Sequence, residues 1–475
     1  MNTHHPVVVI GAGPIGLAAA AHLIEQDQDV LVLEAGTSVG AAIEQWKHIK
    51  LFSPWRYDID TAARRLLETP DEGYAGDWVA PRETKLPTGA ELISEYLAPL
   101  AAHPQMSPRI KYGHRVTKIS RLHHDGRGID KTRTAGRDES LFLVRADTTE
   151  GTVDLLARAV IDATGTWNQP NPVGRSGIEA IGEAEARTQG FITSPLPDPL
   201  GADSEDLAGK TILVLGAGHS AANTLISLGR LQQQHPDTQI LWGLRGPANP
   251  IRLYGGGAAD ELPARGQLGT SLRRLVENEH ISLLENVSIA SVESGEQLCV
   301  NLTDGRVFEV DRIVPATGFR PDLTMLSELR LNLDQTVEAP SALGPLIDPE
   351  FHSCGTVSAH GEKELSHPEK YFYIAGMKSY GRAPTFLMAT GYEQVRSIAA
   401  HLAGDDEAAR RVELSLPETG VCSTDLGGSC DAPAAGESSA VGESTNQAAC
   451  CTTTEPLTIG FATGTLHGNK ELAAK

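Results

Sequence analysis

The chain has 475 residues, with 40 Lys+Arg against 61 Asp+Glu and a formal net charge of −21. At roughly 150 residues per domain this is about three domains of chain, ample for large buried cores. A composition 40% apolar and 21% charged fits a soluble globular protein. The acidic balance argues against nucleic acid or an anionic membrane as partner, because both need a positive face.

The first feature in chain order is an apolar run from Val7 to Ile24, interrupted by glycines and Pro14. A signal peptide wants a positive leading segment, and Met1–Pro6 contains no Lys or Arg. The run reads instead as a buried strand, Val7–Ile10, a tight turn, and an Ala- and Leu-rich helix, Ile15–Ile24. Val30–Leu33 is a second buried strand, and Glu34 closes it. Asp125–Glu139 has the character of an exposed hairpin loop. Ala159–Gly165 reads AVIDATG, an apolar strand running into Ala163-Thr164-Gly165.

Near the middle the opening pattern recurs. Thr211–Leu215 is a strand, Gly216–Ala221 a turn, Ala222–Leu231 a helix, and Ile240–Leu244 a strand ending in Arg245. Arg312–Gly318, RIVPATG, then echoes the earlier Ala-Thr-Gly segment, with Thr317 and Gly318 in the same places. This order suggests a chain that leaves one domain, builds another and returns through two short, proline-bearing links. The expected fold is α/β: two Rossmann-like three-layer domains, one inserted in the other. The expected boundaries are 1–200, 201–310, 311–411 and a tail, 412–475. In that tail Phe461 is the one aromatic, and Gly, Ser, Thr and Ala accumulate. Such a segment buries too little apolar area to offset its ordering entropy, so disorder is expected there.

Gly11-x-Gly13-Pro14-x-Gly16 follows a strand and opens a helix. Gly11 permits the tight turn, Gly13 lets the backbone approach a pyrophosphate, and Gly16 lets the helix pack closely on the strand. The helix N-terminus offers unpaired N–H groups to phosphates. Glu34 stands about 20 residues on, where an acid accepts hydrogen bonds from a ribose diol. Gly216-x-Gly218-His219-Ser220-Ala221 has the same context, but Arg245 replaces the acid. An arginine there meets a 2′-phosphate, which favours NADPH over NADH. Ser220 is placed to donate to a phosphate, and His219 is a turn residue. Two dinucleotide sites on one chain point to FAD in the first and NADPH in the second.

The first site, the two Ala-Thr-Gly segments and the interrupted order resemble the flavin-containing monooxygenase-like flavoproteins over roughly residues 6–404. Glu34, Gly40 and Trp46 resemble that group's Glu…Gly-Gly-x-Trp segment, with Ala41 in place of the second glycine. Leu51-Phe-Ser53 is similar to its Phe-Ser segment beside the flavin, and Leu86–Tyr96 to the helix before its adenine-side strand. Val116 falls where the family places a backbone contact to the adenine. The segments Gly376-Met-Lys378-Ser-Tyr380-Gly-Arg382 and Gly391–Val395 resemble the flavin-facing turn and helix of flavoproteins associated with bacterial arsenic-resistance operons. The resemblance implies that Trp46, Ser53, Lys378 and Arg382 line the flavin, with Gly376 at its turn. It also implies oxygenation of a soft nucleophile, with Arg382 set to stabilise charge. The chain departs from the group at Phe191–Pro197, where the family's histidine-bearing fingerprint is missing.

Cysteine usage narrows the chemistry. Six cysteines make no disulfide scaffold, and neither a C-x-x-C nor a C-x(4)-C pair occurs. A disulfide-reductase core is therefore disfavoured, and with no export signal a cytoplasmic location is expected. Cys299 lies in an alternating strand pattern, Leu298–Leu302. Cys422, Cys430, Cys450 and Cys451 cluster in the tail. Thiolates are soft ligands, suited to a metalloid such as trivalent arsenic; unpaired tail thiols are the alternative. His352, His360 and His367, with Glu362 and Glu364, lie in a segment of loop character and carry no metal expectation. A small-molecule substrate is the expected partner, and self-association stays open. Two other readings remain: an NADPH-dependent flavoprotein reductase without oxygenation, and a metalloid-binding protein on a flavoprotein scaffold.

Overall fold

The computed structural model describes residues 5–132, 135–254, 263–350, 357, 359–384 and 386–414. Two parallel sheets organise them. In the first, five strands run in the spatial order Phe372–Ile374, Ala159–Asp162, Val7–Ile10, Val30–Leu33, Ile110–Lys111. In the second, the order is Ser282–Leu284, Gln239–Gly243, Thr211–Leu215, Arg312–Pro315.

The near-continuous apolar strands follow from burial on both faces. Val7, Val9, Val32 and Ile161 point to one side of the first sheet, into a core shared with helices Pro14–Glu25 and Met388–Ala403. Val8, Ile10, Leu33 and Val160 point to the other side, against Phe142 and Val144. Those two belong to a three-stranded antiparallel sheet, Arg115–Leu122, Leu141–Thr148 and Gly151–Ala157. The second sheet repeats the plan. Ile212, Val214 and Trp242 pack toward helix His219–Gln234. Leu213, Leu215 and Ile313 pack toward the antiparallel strands Ile289–Ser294, Leu298–Leu302 and Val307–Val310. Each unit is thus a helix layer, a parallel sheet and an antiparallel sheet. Each fully buried Val, Leu or Ile contributes about 1.5–3 kcal/mol, so Val160→Asp would set an unpaired charge between layers and break the first unit.

Several local expectations shift. Helix His219–Gln234 begins three residues earlier than expected, directly after Gly218. Arg312–Pro315, beyond the expected boundary at 310, is hydrogen-bonded to Thr211–Leu215 in the second sheet. The anticipated helix over Leu86–Tyr96 is one α-helical turn, Gly89–Glu91, running into a π-helix, Leu92–Leu97. Thr88 and Glu91 close a capping box at its start.

The Asp125–Glu139 loop is a correction, because it is not wholly exposed. Arg137 is 1% exposed and donates to Glu369 Oε2 from Nη2 at 2.7 Å. Arg121 donates to Glu369 Oε1 at 2.8 Å and lies over the Phe142 ring at 3.5 Å. The two guanidiniums hold the Glu369 carboxyl below the usual carboxylate range, against the opposing effect of burial. A charged loop can dive into the interior only because a carboxylate waits there. Among the described residues no helix is long and apolar enough to cross a membrane.

Candidate functional site

The first glycine turn is assembled by close backbone approach. Gly11 has φ +100°, and a Cβ there would lie 2.9 Å from the Ala163 carbonyl oxygen. The Ala163 N–H donates to the Ile10 carbonyl at 3.0 Å, so the Ala163-Thr164-Gly165 segment closes over the turn. A Cβ on Gly16 would strike the Gly11 carbonyl oxygen at 1.9 Å. A Cβ on Gly13 would meet nothing within 4 Å. The backbone at Gly13 therefore faces open space, and helix Pro14–Glu25 starts there with no side-chain cap.

Glu34 is buried at the edge of this space. Its Oε2 accepts from the Ala12 N–H at 2.6 Å and its Oε1 from the Gly36 N–H at 2.7 Å. Each oxygen retains a lone pair for a further donor. The chain after Ile110–Lys111 is tied to the same loop, with the His114 N–H on the Glu34 carbonyl at 2.8 Å. This brings Val116, at the start of the antiparallel sheet, to the Glu34 side.

Opposite the turn, Lys378 and Asp162 form a buried ion pair. Lys378 Nζ donates to Asp162 Oδ2 at 2.7 Å and to Thr164 Oγ1 at 3.1 Å. Their side chains are 1% and 0% exposed. Thr164 Oγ1 in turn donates to Asp162 Oδ1 at 2.7 Å. Gly376, with φ +70°, packs on Ile15, and its N–H donates to Gln394 Oε1 at 2.8 Å. Arg382 is placed differently. Its Nε lies 3.2 Å from Glu338 Oε2, which Arg320 also engages from the other carboxylate oxygen at 2.6 Å.

The second turn copies the first. Gly216 has φ +123° and abuts the Ala316 carbonyl, and Gly218 faces open space within 4 Å. Ala221 is buried where Gly16 stands in the first unit. Trp242 Nε1 braces this turn by donating to the Gly216 carbonyl at 2.7 Å. Ser220 lies half-buried in the first turn of the helix. Arg245, just past strand Gln239–Gly243, is exposed and makes no ion pair among the described residues. Thr317 Oγ1 donates to the Asn171 carbonyl at 2.7 Å, and the Asn171 N–H to the Gly318 carbonyl at 2.9 Å. The two links between the units therefore run bonded to each other.

The halves also meet through aromatic rings. Trp46 and Trp167 lie 6.5 Å apart by centroid, and Trp167 and Phe319 5.1 Å. Phe52 rests on His219 at 5.1 Å, which sets the Leu51–Ser53 segment against the second glycine turn. Ser53 Oγ donates to Asp58 Oδ1 at 2.6 Å.

Asp162, Asp58, Trp242 and Asn171 went unread in the sequence. Asp162 had a signal, since it ends its strand inside AVIDATG as Glu34 follows the neighbouring one. The others depend on contacts between distant segments. His360 and His367 lie outside helices and strands, in keeping with the loop character of their segment, and are buried; burial pushes the His367 imidazole down to about 4. His352 and the tail thiols Cys422, Cys430, Cys450 and Cys451 lie outside the described residues. Among the described residues no cluster of His, Cys, Asp or Glu is arranged to hold a metal ion.

A family model for pyridine nucleotide-disulphide oxidoreductases matches residues 5–339. The chain belongs to that family. It is an oxidoreductase enzyme. No curated protein sequence matches it. Among solved structures it is similar to the bacillithiol disulfide reductase Bdr (YpdA) of Bacillus cereus, at 18% identity and TM-score 0.59, covering 84% of this chain and 99% of that one. It is similar to the FAD-bound cadaverine monooxygenase DfoA of Erwinia amylovora, at 14% identity and TM-score 0.55, covering 90% and 100%. It is also similar to the ornithine N-hydroxylase KtzI of Kutzneria with reduced FAD, NADP+ and L-ornithine, at 16% identity and TM-score 0.51, covering 85% and 99%. At these identities the likeness is one of fold.

Proposed function

We propose that this chain is an FAD- and NADPH-dependent oxidoreductase that oxygenates a soft nucleophile. One observation carries the two-cofactor part of this reading: two glycine turns of the same build, each open at its middle glycine, one with a carboxylate after its next strand and the other with an arginine. The residues present fit the cofactors. Gly13 and Gly218 leave room for two pyrophosphates at uncapped helix N-termini. Glu34 has lone pairs left for a ribose diol, and its charge repels a 2′-phosphate. Arg245 attracts one. The monooxygenase relatives in fold, one bound to FAD and one with reduced FAD and NADP+, support the same assignment.

Bound flavin supplies hydride acceptance from NADPH and electron delivery to dioxygen or another acceptor. The chain supplies position and charge. Glu34, Gly11, Gly16 and Val116 hold the adenosine end. Ala163, Thr164, Gly165 and the Gly376 turn, with Trp46 and Ser53, shape the redox end. Lys378 arrives there already neutralised by Asp162, so it adds a fixed dipole and no net charge. Arg382, tethered by Glu338, contributes a permanent cation at the rim. Thr317, Gly318, His219 and Ser220 face the nicotinamide nucleotide.

Denaturing release of FAD with no FMN tests the first site. NADPH-dependent dioxygen uptake that yields oxygenated product and little hydrogen peroxide tests oxygenation. The competing reading is a flavoprotein reductase without oxygenation, which the disulfide-reductase likeness favours. Cys299, in strand Leu298–Leu302, is the free cysteine among the described residues; Cys354 lies outside them. The arsenic association is part of the proposal as substrate class, trivalent arsenic being a soft nucleophile, with the tail thiols as its capture site. Equal arsenic binding by the full chain and by a chain ending at Val412 would remove the tail from that role.

A further inference from the structure

Behind Ser53 lies a carboxyl that no cofactor contact accounts for. Asp58 is wholly out of water and ends the short helix Trp55–Asp58. Its Oδ1 accepts from Ser53 Oγ at 2.6 Å. Its Oδ2 has no hydrogen-bond partner among the described residues. A buried carboxylate normally gathers several donors, so this site is poorly built for a permanent charge.

The surroundings do not supply one. Tyr392, from helix Met388–Ala403, donates to the Asp58 backbone carbonyl at 2.7 Å, not to the carboxyl. Tyr96, from the π-helix Leu92–Leu97, accepts from the Asp60 N–H at 3.2 Å. Asp60 is a second acid, and His22 from helix Pro14–Glu25 engages it at 3.0 Å. Among the described residues these titratable groups face Asp58, and none compensates it. Burial pushes its carboxyl up to about 7, opposed by the Ser53 hydrogen bond alone.

On its outer side Ser53 is half-buried. Its neighbour Phe52 rests on His219, the first residue of the helix at the second glycine turn. The Ser53 segment thus lies between a sealed carboxyl and the second glycine turn.

We propose that Ser53 and Asp58 form a proton relay, in which the buried carboxyl takes and returns a proton through the serine hydroxyl, in the segment that packs against the second glycine turn. What meets Ser53 on its outer side rests on the flavoprotein reading. In the inward step the Ser53 O–H bond breaks and its proton moves to Asp58 Oδ1. Ser53 Oγ takes a replacement proton from a substrate group or water outside. The return step reverses both transfers, and no electrons change hands. Oδ1 carries the proton because Ser53 Oγ is the acceptor within its reach. A neutral Asp58 therefore donates to Ser53 and turns the serine proton outward, and an ionised Asp58 draws it inward. Asp58 acts as a positioning residue through Ser53.

Two measurements on the purified full chain test this. Infrared difference spectroscopy against pH reads the protonated carboxyl of Asp58, identified by its loss in Asp58→Asn, with or without bound flavin. The midpoint is expected near 7 in the wild type and higher in Ser53→Ala, which lacks the bond that holds it down. Absorbance of the bound flavin across the same pH range is expected to show a step of matching midpoint. That step is lost in Asp58→Asn and Ser53→Ala and kept in Ser53→Thr. A carboxyl that titrates below about 5, as ordinary acids do, overturns the relay. So does a flavin step that survives in Ser53→Ala. A chain that folds without flavin fails the functional reading instead, and the infrared midpoints of wild type and Ser53→Ala still decide the inner half. If Asp58→Asn does not fold, the two serine variants carry the test.

Discussion

Lys378 Nζ and Asp162 Oδ2 stand 2.7 Å apart with both side chains shut off from water. They come from sequence segments more than 200 positions apart, |i−j| = 216. Removing one partner of such a pair leaves the other charge uncompensated, at about 3–5 kcal/mol. Lys378→Met is expected to lose that much in urea unfolding. Adding Asp162→Asn should recover part of the loss, because the stranded carboxylate is then gone. Additive losses in the double variant would show that the two residues do not act as a pair.

The two open glycines and the two closed ones separate folding from binding. Gly13→Leu meets no protein atom within 4 Å of its Cβ, so its unfolding free energy should stay within about 1 kcal/mol of wild type. It should nevertheless purify colourless, since the side chain fills the pyrophosphate approach. Gly16→Ala drives a Cβ to 1.9 Å from a backbone oxygen and should lose several kcal/mol or fail to fold. A yellow Gly13→Leu protein would refute the first site.

Arg245 is the residue proposed to distinguish the two nicotinamide cofactors. It is exposed and free of described ion partners, so its removal costs no structural pair. Arg245→Ala is expected to raise the KM for NADPH roughly 10- to 100-fold, matching about 1.5–3 kcal/mol for a charge-assisted hydrogen bond. The KM for NADH should hardly move. Equal effects on both would mean that Arg245 does not read a phosphate.

Asp58 makes stability depend on pH in a definite direction. Its folded value of about 7 lies above the ordinary value of 3.8. Between those two values the folded state binds more protons than the unfolded state, so stability falls as pH rises through the window. The full effect is at most on the order of 4 kcal/mol. Asp58→Asn should flatten the decline between about pH 4 and 7 in denaturation midpoints measured at several pH values. An unchanged slope would place the titration elsewhere.

Much of the plan was legible in residue order. The strands Val7–Ile10, Val30–Leu33 and Thr211–Leu215 stand where their apolar runs placed them, because strands buried on both faces leave a continuous signature. The glycine turns were legible because each glycine answers a separate steric demand. The π-helical turn after Glu91 was not, since its pattern is that of any helix. Nor was the burial of Arg137, which reads as solvated charge until Glu369 is brought beneath it.

The same division runs through the site. By itself the sequence determined two glycine turns between strand and helix, an acid at Glu34 and an arginine at Arg245, for these rest on spacings of a few residues to about 30 within a single βαβ unit. Only the tertiary structure decided that Lys378 comes neutralised by Asp162, that Arg382 is tethered by Glu338, and that Ser53 connects a sealed Asp58 to the second turn. Those facts depend on which distant segments fold against each other and on how much water they exclude, and neither burial nor the partner of a charge is written in the local pattern.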